Sequence, residues 1–409
     1  MEDGTCCQTS ETNLYSRFMT QPIRVGFVGA GFAARFHLQA LQRVYGVPVQ
    51  IAGVTARSAA TRDKFAAETG VPAFDSIEAL CDAVDVVDLC SPPVTHEKLA
   101  VMALERGKHV IIEKPLTGYF GDGTEEFRGN ASPKEPMLRH AVESCARIAQ
   151  AARSSGRTVC YAENWVYAPA VQKEREIVEK SGAQILWIMG NESHSGSHSP
   201  YYGIWRHSGG GSLVGKGCHP LSAALYLKQV EGAARDGKPI RPATVSARTH
   251  EITRLPGFRD VGLLRRGYQD IEDYGQMHVT FEDGTVADLF ASELMMGGVA
   301  NWLEVMANNH RTRCNLNPTD ALETFNAREE TLRDVYVTEK IETKQGWNRP
   351  APDENWQHGY PQEFQDFMEA IAHGREPLAR LDLARDTIAT LYAAYVSAER
   401  HGAEVPIPE

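Results

Sequence analysis

Several things are missing from this chain. No apolar run approaches the length that crosses a membrane. Its first residues, MEDGTCCQTSETNLYSRFMTQ, carry early acids and no apolar segment, so they lack the pattern of a secretory signal and read as a tail over 1–21. The eight cysteines are scattered, with no Cys-x-x-Cys pair; Cys90, Cys145 and Cys160 fall in apolar or helical stretches and read as buried thiols in a reducing, cytoplasmic setting. Positive charge is short as well. Against 53 acidic residues stand 42 basic ones, for a net charge of −11, which argues against nucleic acid or an anionic membrane as partner, since both need a basic face. Internal repeats are absent.

What remains is an ordinary globular composition, 42% hydrophobic and 23% charged, in 409 residues, enough for two domains each with its own core. From Ile23 to Ala162 strands and helices alternate: IRVGFVG, VQIAGVTA, VDVVDLCSP, HVIIEKP and TVCYAEN read as strands, with helical periodicity between them. That rhythm predicts a parallel sheet with helices on both faces. Residues 118–136, rich in Gly, Pro and charge, read as an inserted loop. After Pro169 come one helix and a Gly/Ser/His-rich loop. ATVSARTHEIT, GQMHVTFEDG, TVADLFASELM, NWLEVMAN and RTRCNLN then follow as strands, and two amphipathic helices close the chain. The fold class is therefore α/β, an N-terminal Rossmann parallel sheet followed by an α+β domain with an open, mostly antiparallel sheet. The expected boundaries are 22–163, 164–356, and 357–409 for the helices that pack back.

Gly29-Ala30-Gly31-Phe32-Ala33-Ala34 follows the first strand and opens the first helix, the context that gives a glycine motif meaning. Gly29 permits the tight turn, Gly31 lets the backbone approach a pyrophosphate, and Ala34 stands where helix and strand pack closely. The helix start then offers free N–H groups to phosphate. The second strand ends Thr55-Ala56-Arg57-Ser58, with no acid for a ribose 2′-hydroxyl; Arg57 could accept a 2′-phosphate, so NADP is permitted and NAD is not forbidden. Glu113-Lys114-Pro115 closes HVIIEKP, at the edge where open α/β sheets place their ligands. A lysine behind four apolar residues is expected to be partly desolvated, its pKa lowered into a useful acid–base range.

These residues, with Cys90-Ser91-Pro92-Pro93, His96, Gly209-Gly210-Gly211, Gly217 and His219, resemble the glucose–fructose oxidoreductase/inositol dehydrogenase/MocA (Gfo/Idh/MocA) family. The resemblance implies a site between two domains and an open sheet that mediates dimers or tetramers, and it favours NAD. It implies that Lys114 is the catalytic lysine and His219 a second catalytic or substrate-orienting group. It also places Asn164 near the nicotinamide and Ser91, Pro92, His96 and Glu113 around the cofactor. One departure stands out. The family's third motif usually carries an Asp where this chain has Gly215, followed by Lys216.

From Ser193 to His219 the chain has no acid, where its average of 53 in 409 would give about 3.5. The stretch holds His194, His198, Arg206, His207 and Lys216, and its Gly, Ser and Tyr content suits a polyhydroxylated ligand. Lys216, His198 and Arg206 are expected to meet an anionic group on a sugar or glycoside. His194-x-x-x-His198 has helical ligand spacing, but the intervening Gly and Ser argue against a helix and no carboxylate completes a shell, so no metal is expected. YAENWVYAP, ESHSGSHSPYYG and GKGCHPL resemble segments of NAD-dependent sulfoquinovosidases, glycosidases of this family whose sugar bears a sulfonate. That narrower resemblance implies redox-neutral cleavage: oxidation at C3, elimination, hydration and return of the hydride, with Tyr201, Tyr202 or His194 as further proton-transfer groups. The alternatives are a net sugar or inositol dehydrogenase, and a sensor that binds the dinucleotide without turnover.

Overall fold

The computed structural model describes residues 21–197, 199, 201–317 and 321–408. Most of the expected tail, and His198, lie outside them.

The first sheet contains β1 (Ile23–Val28), β2 (Val49–Thr55), β3 (Val86–Leu89), β4 (His109–Glu113) and β5 (Val159–Ala162) in the order β2-β1-β3-β4-β5, every pair parallel. Its strands are apolar because helices cover them. Val25, Phe27, Val86, Val87, Ile111 and Ile112 are all fully buried, each contributing about 1.5–3 kcal/mol of burial. Helices α1 (Phe32–Leu41), α2 (Ala59–Thr69), α3 (Ile77–Ala83), α4 (His96–Glu105) and α5 (Lys134–Ser155) connect the strands. The short α3, capped by Ser76, falls where the sequence runs directly from α2 to a strand. The strand order reverses between β1 and β3. Open α/β sheets place their ligands at the carboxyl ends of such a pair, here beside Gly29 and Cys90.

The second sheet has seven strands in the order β11-β10-β6-β9-β8-β7-β14. These are β6 (Ile185–Ser193), β7 (Pro242–His250), β8 (Tyr274–Phe281), β9 (Val286–Ser292), β10 (Ala300–Ala307), β11 (Arg311–Asn317) and β14 (Val405–Pro406), all antiparallel except β6 with β9. A small hairpin, β12 (Thr324–Asn326) with β13 (Gly346–Asn348), stands apart. Before the sheet come α6 (Asn164–Tyr167) and α7 (Pro169–Ser181). Between β6 and β7 lie α8 (Trp205–Ser208), a π turn over Leu213–Gly217, and α9 (Cys218–Asp236).

Two of these elements correct the sequence reading. A single loop is expected after α7, yet β6 and the 19-residue α9 occupy that stretch. Helix α9 is buried on almost every side, so it shows no polar stripe. Strand β6 is central, and its burial does not alternate. After α10 (Glu354–Gln357) and α11 (Tyr360–His373), helix α12 (Leu381–Glu399) is likewise buried nearly all round rather than amphipathic, wedged among α5, α9 and β7. Helix α11 packs on α1, tying the chain's end to the first domain.

The corner between α10 and α11 turns at Gly359, whose φ is +92°. A Cβ there would stand 2.5 Å from both the Asn164 carbonyl and the Ala168 amide, so only glycine lets this corner dock on α6. Gly359→Ala is expected to lower stability in urea denaturation by about 1–3 kcal/mol. An unchanged midpoint would show that the corner does not bear on α6 in solution.

Candidate active site

The dinucleotide turn follows from two glycines with different duties. Gly29 has φ of +108°, and a Cβ on it would meet the Cys90 carbonyl oxygen at 2.6 Å, so the β1 and β3 ends approach only because no side chain is there. Gly31, the N-cap of α1, has nothing within 4 Å of where a Cβ would be, which leaves an open cradle. No side chain caps α1, so its first N–H groups face the cradle without a protein acceptor. Phe32 is 68% exposed at its rim, Ala33 is half-buried, and Ala34 is buried against the strand. These residues fit a pyrophosphate. At the end of β2, Ala56 is half-buried and Arg57 exposed, while Ser58 caps α2 through Thr61 N at 3.3 Å. His96 is a correction. It is fully buried, with Nδ1 3.0 Å from the Pro115 carbonyl and Nε2 2.9 Å from the Ser91 carbonyl. Both nitrogens are engaged by backbone, so it braces the β3 and β4 loops rather than presenting a nitrogen to the cofactor. The Ser91 hydroxyl pairs with Thr95 at 2.7 Å, and Pro92 precedes the short turn that leads into α4. Glu113 lies 3.3 Å from His37 Nε2, and His37 Nδ1 lies 3.0 Å from the Asp88 carboxylate.

Lys114 emerges at the carboxyl end of β4 and donates to the Gly215 carbonyl at 2.9 Å, bridging the Rossmann sheet to the π turn. Its pKa corrects the sequence expectation. Burial does oppose the charge. The negative groups around it, Cys218 were it ionised and then Glu192, Glu113 and Glu163, outweigh burial and hold the amine above its ordinary value. Burial in turn pushes the Cys218 thiol well above its ordinary value.

His219 projects from the first turn of α9. Its Nδ1 lies 2.5 Å from Glu163 Oε1, and its ring stacks on Trp165 at 6.0 Å. Glu163 thereby fixes the tautomer, directing Nε2 outward. On that side stands Glu192 Oε2, 3.7 Å away, buried and without a hydrogen-bond partner. Burial raises the Glu192 pKa despite His219, Lys114 and Lys216 nearby. Glu192 immediately precedes the acid-free run that begins at Ser193, so a reading of that run alone passes over it.

Lys216 is buried and paired with Glu293, the residue that follows β9. Tyr202 donates to Glu293 Oε1 at 2.7 Å, while Tyr268 at 3.2 Å and the Ser197 amide at 3.0 Å donate to Oε2. Lys216 is therefore already neutralised, contrary to the expectation that it waits for a substrate anion. Tyr202 also accounts for Gly215: a Cβ there would lie 2.7 Å from the Tyr202 ring, which fills the space a side chain would need. Arg206 is half-buried on α8 and forms no ion pair with any described residue. His194 is buried, its Nδ1 accepting from the Gly196 amide at 3.0 Å. Tyr201 is 53% exposed with its ring against His207, and is not drawn into the cluster that holds Tyr202. Asn164 is buried, its amide donating to the His358 carbonyl at 2.8 Å.

Glu163, Glu192, Glu293, His358 and Glu272 are residues that the sequence reading does not single out. Each converges from a different element. His358 is buried beside α6 with Nε2 unpartnered. Glu272 clamps the glycine-rich segment: its carboxylate accepts from the Gly211 amide at 3.1 Å, the Leu213 amide at 2.9 Å and the Tyr395 hydroxyl at 2.8 Å.

Family models match both halves of the chain: the Gfo/Idh/MocA oxidoreductase family's NAD-binding Rossmann fold over residues 23–127, and its C-terminal alpha/beta domain over residues 185–407. UDP-N-acetylglucosamine 3-dehydrogenase of Acidithiobacillus ferrooxidans is 39% identical over 95 residues, 23% of this chain and 29% of that protein. D-glucoside 3-dehydrogenase of Escherichia coli is 26% identical over 218 residues, 52% of this chain and 56% of that one. The chain thus aligns with only part of these relatives. GenD2 from gentamicin A biosynthesis, solved in complex with NAD, shares the fold with a TM-score of 0.77 at 22% identity, over 96% of this chain and 98% of GenD2.

Burial pushes the Glu272 carboxyl up to about 7, against the donors that favour its charge. A carboxyl whose folded pKa is raised binds more protons folded than unfolded between about 4.5 and about 7, so its contribution to stability falls as pH rises through that window. Between pH 5 and pH 8 this group should remove about 2–3 kcal/mol. Denaturation midpoints of Glu272→Gln are expected to lose that part of the slope, and parallel pH profiles would contradict it.

Proposed function

The chain belongs to the Gfo/Idh/MocA family of oxidoreductases, and on that premise we propose that it oxidises a secondary hydroxyl of a sugar, C3 being the favoured carbon. NAD is the cofactor of its N-terminal domain. The observation that carries this reading is the meeting of Lys114 and Glu163, at the ends of two Rossmann strands, with His219 from the second domain, which Glu163 holds. Two of the relatives named above are 3-dehydrogenases of sugars, which supports the carbon.

Bound NAD would accept a hydride from the carbinol carbon; the chain's residues manage the proton. Lys114 takes the hydroxyl proton once it has released its own to Glu113 or Glu163 beside it. His219, fixed through Nδ1 by Glu163, presents Nε2 to accept a hydrogen bond from a second hydroxyl and so orients the ring. Asn164 and Tyr202 line the same region, whereas Tyr201 is the weaker of the tyrosine candidates because it stands in solvent.

A second reading, redox-neutral cleavage of a glycoside, draws support from the number of acid–base groups. Net oxidation needs one base, and the site holds Lys114, His219 and Glu192. The sugar's own charge is a finer matter. With Lys216 neutralised by Glu293, Arg206 is the group that would meet a sulfonate, carboxylate or phosphate, as in a sulfoquinovosidase-like role. A homo-oligomer is the companion proposal, supported by Leu186 and Trp187, which β6 leaves exposed.

The test is a panel of methyl D-glucosides, levoglucosan, glucose 6-phosphate, UDP-N-acetylglucosamine and a sulfoquinovoside, with NAD. Stoichiometric NADH with the glycoside intact marks a dehydrogenase, and free sugar from catalytic NAD marks redox-neutral cleavage. Because the Lys114 pKa is raised and oxidation requires the free amine, initial rates of NADH formation should climb with pH across the alkaline range. Lys114→Met should lower kcat by about 10²–10⁴-fold and remove the climb. A rate independent of pH, or an active Lys114→Met, would displace Lys114 as the base.

A further inference from the structure

Glu192 adds to the negative charge around Lys114, and beyond that it holds a buried oxygen for which the oxidation has no use. It sits one residue before the end of β6, in register with Ala291 of β9 on one side and Asn301 of β10 on the other. A central strand flanked on both sides has little freedom to twist its side chains away. Gly190, two residues earlier and on the same face, would set a Cβ 2.9 Å from Pro220 of α9, so this face of β6 looks at the first turn of α9, where His219 lies. Glu192 is buried there, and its Oε2 has no hydrogen-bond partner.

An orphaned buried carboxylate oxygen is costly, so its neighbourhood matters. The cleft's other bases are engaged: Lys114 with the Gly215 carbonyl, His219 Nδ1 with Glu163, Lys216 with Glu293. Glu192 is held 3.7 Å from His219 Nε2, beyond hydrogen-bond reach, leaving its oxygen directed at the place where substrate must lie if Lys114 and His219 both touch it. Burial raises its pKa, and a raised pKa makes the ionised form the stronger base. After oxidation, the sugar carries a carbonyl whose oxygen faces the ammonium of Lys114, and the C–H on the adjacent carbon is acidified.

We propose that Glu192 is a second base, which removes the carbon-bound proton next to the newly formed carbonyl, so that the site enolises its own keto-sugar. This rests on the sugar-oxidation reading. The C–H bond breaks and its proton passes to Glu192 Oε2. The bonding pair forms a carbon–carbon double bond while the carbonyl pair moves onto oxygen, where the Lys114 ammonium holds the enolate. Return of a proton from Glu192 restores the ketone. No electron leaves the sugar in this step, so no further oxidant is needed. Where the next carbon bears an alkoxy group, the same carbanion pair can instead expel it, which is the step that redox-neutral cleavage requires.

The experiment incubates each panel sugar with the full-length enzyme and NAD in D2O. It follows NADH formation, and deuterium in the recovered and keto-sugar by mass spectrometry and NMR. The wild type should place deuterium on one carbon flanking the oxidised one. Glu192→Gln should lower the deuterium incorporated per NADH formed in the first turnover on the order of 100-fold, a ratio that a change in the oxidation rate alone does not move. Glu192→Asp, which retains a carboxylate, should recover part of the exchange and guards against a folding defect in the Gln variant. NADH formation without deuterium in the wild type overturns the proposal, as does exchange in Glu192→Gln at the wild-type rate. Loss of burst and exchange together in both variants overturns it too, by assigning Glu192 to the oxidation itself. Absence of NADH with every sugar overturns the oxidation reading, and this inference with it.

Discussion

The hydrogen bond from the Lys114 amine to the Gly215 carbonyl spans the boundary between the two sheets, and the geometry of the cleft depends on it. One partner ends a parallel strand whose neighbours are fully buried. The other sits in a π turn, whose widened winding turns a carbonyl away from the usual helical ladder. A cation placed there in isolation would shed its proton, because burial penalises charge. The surrounding carboxylates reverse that outcome. The amine is therefore a charged tie between domains, and on the proposed oxidation it would also be a reagent that must give up its charge to act. Its chemistry is coupled to the protonation of Glu192, Glu113 and Glu163.

The same economy shapes the glycine-rich segment. Its backbone amides at Gly211 and Leu213 and the ammonium of Lys216 are satisfied by carboxylates from outside the segment, Glu272 ahead of β8 and Glu293 after β9. Removing Glu293 alone would leave a buried ammonium unpaired, a loss of about 3–5 kcal/mol. Tyr202 and Tyr268 complete that carboxylate's shell, and the Tyr202 ring forbids a side chain at 215. The Gly215-Lys216 departure from the family pattern is thus one packed unit: tyrosine, lysine and external glutamate occupy the region where the pattern has an aspartate.

How much of this could be read from sequence follows from the range of each interaction. The dinucleotide turn was legible because its chemistry is local: a strand, two glycines and a helix start within ten residues. The burial of the Lys114 amine was legible from the apolar strand before it, although its charge state was not, since Glu192 and Glu163 reach it from β6 and from the segment before α6. The acid-free run from Ser193 to His219 suggested a cationic pocket. In three dimensions Glu192, Glu163 and Glu293 all close on it, so an absence along the chain was not an absence in space. Helix α9 was hidden because a helix buried all round has no polar stripe, and β6 because its exposed residues, Leu186 and Trp187, are neighbours and the rest of the strand is mostly buried, which leaves no alternation.

Charge bears directly on the substrate. Within the cleft the cations Lys114 and Lys216 face Glu113, Glu163, Glu192 and Glu293, with His219 between two of these acids. Such a site repels an anion close to the reacting carbon and suits neutral hydroxyls, which can donate to carboxylates and accept from an ammonium. Arg206 is placed on the separate short helix α8. A substrate with an anionic group would then have to be polar and neutral where it meets Lys114 and charged only at its far end. On the proposed reading, a neutral carbinol would meet Lys114 and His219, and any anionic group of the substrate would be held by Arg206 on the other element.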